Sequence, residues 1–66
     1  MKARVNGVER ELAEGATVAD VLRMLDVPRN GVAVAVNGEV VPRARHLATV
    51  IGDGADIEVL TAVQGG

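Results

Sequence analysis

The sequence has no cysteine and no Phe, Tyr or Trp among its 66 residues. Without cysteine there can be no disulfide, no thiolate zinc site and no thiol nucleophile. Without aromatic rings there is no stacking platform for nucleic-acid bases, and a formal net charge of −2 supplies no basic footprint for phosphates. Histidine occurs once, at His46, with no apparent partner for acid–base work, so a surface or half-packed role is expected for it. Long apolar runs are also missing. The longest, Val32 to Val36, is far shorter than a membrane span requires. Met1-Lys2-Ala3-Arg4 leads into alternation and not into an apolar leader, so a soluble, cytoplasmic protein is expected. No Walker-type glycine loop occurs. Asp53 and Asp56 lack the spacing of a calcium loop and read as turn-forming acids. Catalysis by the chain's own side chains, or a metal or cofactor site of its own, is therefore not expected.

What is present is small and stiff. Thirteen Val and ten Ala supply most of the 48% hydrophobic share. A chain of this length holds one core and no more. Valine loses little rotamer freedom on burial and its β-branching suits strands, so a mostly β domain is expected.

Two Asn-Gly pairs organise the chain. Asn6-Gly7 lies between Lys2-Ala3-Arg4-Val5 and Val8-Glu9-Arg10-Glu11-Leu12. A two-residue turn with positive φ at both positions predicts a hairpin that pairs Val5 with Val8, Arg4 with Glu9, Ala3 with Arg10 and Lys2 with Glu11. This register sets two opposite-charge pairs on one face and puts Val5 and Val8 on the other, with Arg10 near the edge. Asn37-Gly38 predicts a second hairpin between Val32–Val36 and Glu39-Val40-Val41, which Pro42 ends. Val32, Val34 and Val36 are expected toward the core.

Between the hairpins, Thr17 with Asp20 reads as a capping box with Asp in place of Glu. Val18, Val21, Leu22 and Leu25 recur at helical spacing and predict a helix over 18–26, stopped by Val27-Pro28. Residues 43–51 suggest one short helical turn under Leu47, Val50 and Ile51. Asp56 to Val63 predicts a last strand with Ile57, Val59 and Val63 on one face. Helix and strands together form an α+β domain, one helix on a sheet.

Gln64-Gly65-Gly66 follows that strand. Glycine has no Cβ, so such a segment threads a narrow channel without a side-chain clash. Three extended residues reach roughly 10 Å, enough to present the Gly66 carboxylate to another protein's active site. There it could be activated as an acyl-adenylate. Leu60 and Ala62 are expected on the sheet face away from the helix, together with Ala33 and Ala35. With Val63 beside the tail, these are the candidate partner contacts.

Several stretches carry a family resemblance that covers nearly all of the chain. They are Met1-Lys2-x-x-Val5-Asn6-Gly7, Glu14-Gly15-Ala16-Thr17-Val18, the run from Val32 to Arg43, the Asp53-Gly54 turn and the terminal Gly65-Gly66. In these the sequence resembles the thiamine-biosynthesis sulfur carriers, the ThiS proteins of the ubiquitin-like β-grasp family. It departs from them near His46, where an aromatic is common, and at Asp53-Gly54-Ala55-Asp56, where Asp-Gly-Asp is usual.

The resemblance implies a mixed sheet of about five strands, with the first and last parallel and adjacent at its centre, covered by one helix. It implies a β-grasp domain over 1–63 and a flexible tail over 64–66. It further implies that a ThiF-type adenylyltransferase, using ATP and magnesium, adenylates Gly66. A cysteine desulfurase system then supplies sulfur to form a thiocarboxylate, and thiazole synthase (ThiG) consumes it. Other readings of a β-grasp chain ending in Gly-Gly remain open at this point. They are the small subunit of molybdopterin synthase, a ubiquitin-like modifier, and a binding domain with an inert tail.

Overall fold

The computed structural model describes residues 1–28 and 31–61. In chain order the elements are β1 (Lys2–Val5), β2 (Val8–Glu11), α1 (Val18–Met24), β3 (Val32–Val36), β4 (Glu39–Val41), one 3-10 turn (Arg43–Arg45) and β5 (Asp56–Thr61). The sheet order is β2-β1-β5-β3-β4.

The first hairpin has the expected register, Lys2 opposite Glu11 through Val5 opposite Val8. Asn6 and Gly7 take φ of 51° and 81°, and Asn37 and Gly38 take 52° and 83°. Both turns thus occupy the left-handed region that Asn and Gly tolerate best. The two cross-strand ion pairs are not formed. Glu11 instead accepts from the Met1 amino group at 3.1 Å. An exposed pair gains little over hydration of its two charges, so register alone does not close it. All four β2 residues are exposed, Val8 included. As an edge strand, β2 meets the rim of the core and not its centre.

Helix α1 begins as expected. The Asp20 N–H donates to the Thr17 hydroxyl at 3.2 Å, and the Asp20 carboxylate accepts from the Thr17 N–H at 2.9 Å. That backbone hydrogen bond, the Thr17 hydroxyl and the nearby Arg23 hold the Asp20 carboxyl below its ordinary value. The helix ends at Met24, two residues earlier than its periodicity suggests. The Asp26 N–H donates to the Arg23 carbonyl and the Val27 N–H to the Leu22 carbonyl, while Asp26 takes a φ of 58°. This is a Schellman motif with Asp in the place usually taken by Gly, and it closes the helix before Pro28 acts.

β3 is antiparallel to both β4 and β5, and β1 is parallel to β5. β5 is therefore the central strand, with the first strand parallel beside it. A five-stranded mixed sheet with one helix across it is the ubiquitin-like β-grasp arrangement. The core lies between α1 and the inner sheet face. Ala3, Val5, Val34, Ile57 and Val59 from the strands meet Val18, Val21 and Leu22 from the helix, with Leu12, Ile51 and Ala55 at its margins. Val32 and Val36 are partly buried against this cluster. Ile57 is fully buried, which is worth roughly 1.5–3 kcal/mol and anchors the central strand.

Residues 43–51 differ from expectation. Leu47 and Val50 are exposed, while His46 is buried at 1% exposure and Ile51 at 2%. The cause is pairing with the start of the helix. Val50 bridges Thr17, the Ile51 N–H donates to the Ala16 carbonyl, and the Ala19 N–H donates to the His46 carbonyl. These long-range bonds set which side chains turn inward. Val50 and Ile51, adjacent along an extended segment, cannot both face the core.

Candidate functional site

Because α1 covers one face only, the other face of the sheet is open. Inward Ile57 and Val59 alternate with outward Asp56, Glu58 and Leu60 along β5. Inward Val34 alternates with outward Ala33 and Ala35 on β3. Register then assembles the open face row by row. Leu60 sits opposite Ala33. Glu58 sits opposite Ala35, which in turn faces Val40 of β4. Leu60 and Val40 are 69% and 73% exposed.

The face is divided. Lys2, Arg4, Glu9 and Glu11 cover the β1–β2 half, where Arg4 also lies level with Asp56. Leu60, Ala33, Ala35 and Val40 cover the β3–β4 half, with Glu58 at the boundary. The apolar half includes the end of β5 that leads into residues 62–66. Small side chains there leave a low surface against which a partner's apolar residues can pack.

Three of the sequence-derived contacts, Leu60, Ala33 and Ala35, are thus brought together. Ala62, Val63, Gln64, Gly65 and Gly66 lie outside the described residues. Val40 was not singled out by sequence reasoning, although the two-residue turn at Asn37-Gly38 places it opposite Ala35 by counting. Glu58 was also missed. So were the side chains of the two turn asparagines. Asn37 accepts from the Asp56 N–H at 2.9 Å, and Asn6 accepts from the Val59 N–H at 2.8 Å and donates to the Val59 carbonyl at 3.3 Å. Among the described residues no group of His, Asp and Glu is placed to hold a metal ion, and no helix is long and apolar enough to cross a membrane.

The ThiS family model matches residues 3–66. The chain belongs to the ThiS family. It is 32% identical to the sulfur carrier protein ThiS of Escherichia coli K12, end to end over both chains. It is 35% identical to part of a thiazole synthase of Paramagnetospirillum magneticum, of which it spans only 20% of the length. The crystal structure of the thiamine biosynthesis protein ThiS from Geobacter metallireducens superposes with a TM-score of 0.82 at 36% identity, covering all of both chains. The solution structure of a thiamine biosynthesis protein from the same organism gives 0.83 at 36% identity, over all of this chain and 88% of that one. The chain thus shares the β-grasp fold of these structures.

Proposed function

We propose that this chain is a cytoplasmic sulfur carrier of thiamine biosynthesis and that the carboxylate of Gly66 bears the sulfur. The observation that carries the reading is the match to the ThiS family over residues 3–66, joined to end-to-end similarity with a named sulfur carrier. The residue inventory agrees with it. A chain without a thiol must hold sulfur on some other group, and a backbone carboxylate is available to any sequence.

The chemistry belongs to partner enzymes. In an adenylyltransferase of the ThiF type, a Gly66 carboxylate oxygen attacks the α-phosphate of magnesium-bound ATP, and pyrophosphate leaves. The terminal sulfur of a persulfide, charged by a cysteine desulfurase, then attacks the acyl carbon and AMP leaves. A thiol cleaves the resulting acyl disulfide and frees the thiocarboxylate. Thiazole synthase, ThiG, takes up this sulfur. The similarity of the whole chain to one part of a thiazole synthase supports that partner.

The carrier's own residues dock and aim. Leu60, Ala33 and Ala35, with Ala62 and Val63 beyond them, form the partner contact, and Gln64 and Gly65 reach into the partner's channel. ATP and magnesium are bound by the partner and not by this chain, which acts as co-substrate and not as enzyme.

The test is intact mass after incubation with the cognate adenylyltransferase, ATP and a persulfide donor. One oxygen exchanged for sulfur, located on the C-terminal peptide and lost on deletion of Gly66, is expected. Sulfur uptake by the truncated chain overturns the assignment.

A further inference from the structure

We propose that Asn6 is a positioning residue for the chemistry at Gly66, acting through the backbone of Val59. This rests on the sulfur-carrier reading. β1 pairs with β5 only at Arg4–Asp56 and Val5–Ile57, and then the chain reverses at Asn6-Gly7. β5 runs on to Thr61, so its β1-facing edge loses its strand partner at Val59. Asn6 takes that place. Its N–H donates to the Ile57 carbonyl at 2.9 Å, its Oδ1 accepts from the Val59 N–H at 2.8 Å, and its Nδ2 donates to the Val59 carbonyl at 3.3 Å. A side-chain amide sets an N–H donor beside a carbonyl acceptor, as a peptide unit does, so it extends the ladder by one residue.

Turn chemistry does not account for this amide. Asn, Asp and Gly all serve the first position of such a turn. What sets Asn apart at residue 6 is the paired donor and acceptor that meet Val59. The second turn supplies an internal control. Asn37 binds the same strand at its other end, its N–H donating to the Asp56 carbonyl at 2.7 Å and its Oδ1 accepting from the Asp56 N–H at 2.9 Å. The two asparagines bracket β5, and Asn6 holds the half nearer the tail.

Val59 is held from both sides, by Asn6 and by its pairing with Val34 on β3. Gly66 is the seventh residue after it, a reach of at most roughly 23 Å. The position of Val59 fixes where β5 ends, and a misplacement of about 1 Å is enough to slow a positioned reaction severely. Asn6 thus sets the position of the end of β5, beyond which the chain continues to Gly66. Docking of the body on the partner does not depend on it.

The test compares Asn6→Gly with Asn37→Gly, both of which keep a residue suited to positive φ. Sulfur loading by the cognate adenylyltransferase is followed against carrier concentration, below the melting point of every variant. Asn6→Gly is expected to lower kcat about ten-fold with KM within about two-fold, and to speed hydrogen exchange of the Val59 amide. Asn37→Gly is expected to leave kcat within about two-fold of wild type, since it loosens the distant end of β5. Asn6→Asp, which keeps the acceptor for the Val59 N–H but sets an oxygen against the Val59 carbonyl, is expected to recover kcat only in part. Wild-type kcat in Asn6→Gly, or an equal fall in both glycine variants, overturns the proposal and leaves the carrier reading standing. A wild-type chain that takes up no sulfur overturns both.

Discussion

His46 Nε2 lies 3.1 Å from the carbonyl oxygen of Val41, and its ring is buried in a protein that has no Phe, Tyr or Trp. The imidazole joins the 3-10 segment to the end of β4 and fills volume that Val and Ala cannot. A carbonyl only accepts, so Nε2 carries the proton, and Nδ1 has no partner among the described residues. His46→Ala is expected to cost roughly 2–4 kcal/mol, from the cavity and the lost hydrogen bond to the Val41 carbonyl. His46→Phe should stay within about 1.5 kcal/mol of wild type, because it keeps ring volume and removes the bare Nδ1 while giving up one hydrogen bond. Urea denaturation of the three proteins checks the order. Wild-type stability in His46→Ala contradicts a packing role.

The helix cap gives stability a dependence on acid. Asp20 is held below its ordinary value by the Thr17 N–H first, then by the Thr17 hydroxyl and Arg23. A depressed carboxyl stabilises the fold above its unfolded value, near 4, and loses that contribution as pH falls through the lowered folded value. Wild type should therefore lose more stability between pH 5 and strongly acidic solution than Asp20→Asn does. Parallel acid limbs in the two proteins would count against the cap as the source.

The end of the helix offers the opposite opportunity. Asp26 holds a φ of 58° in the Schellman motif. Glycine adopts this conformation without a Cβ clash, so Asp26→Gly is expected to raise stability by about 0.5–1 kcal/mol. Thermal unfolding measures it. A lower melting temperature would show that the Asp26 side chain contributes more than its backbone strain costs.

The open face predicts a separation of binding from folding. Leu60 is 69% exposed opposite Ala33. Leu60→Asp should leave circular dichroism and melting temperature unchanged while weakening affinity for the adenylyltransferase by about ten-fold or more, as expected for an apolar anchor at an interface. Ala33→Asp should act in the same direction. Calorimetric titration showing wild-type affinity in both variants would remove this face from the docking surface.

Much of this architecture was legible in the sequence because short-range sterics decide it. Asn-Gly turns demand positive φ, and a two-residue loop leaves one register, so Val5 opposite Val8 and Ala35 opposite Val40 follow by counting. Thr17 and Asp20 cap each other across three residues with no help from elsewhere in the fold. The helical recurrence of Val18, Val21 and Leu22 names the buried stripe directly.

The features that were not legible depend on residues far apart in the chain. His46 rather than Leu47 turns inward because residues 46–51 bond to the backbone at Ala16 through Ala19. Asn6 reaches Val59 because the parallel pairing of β1 with β5 stops two residues short of it. The sequence alone determined the hairpins, the cap and the inward stripe, since each is settled within a few residues by backbone geometry. Only the tertiary structure decided which side chains of residues 46–51 turn inward and what holds the strand leading to Gly66. Those depend on hydrogen bonds across half the chain, which no local pattern of residues encodes.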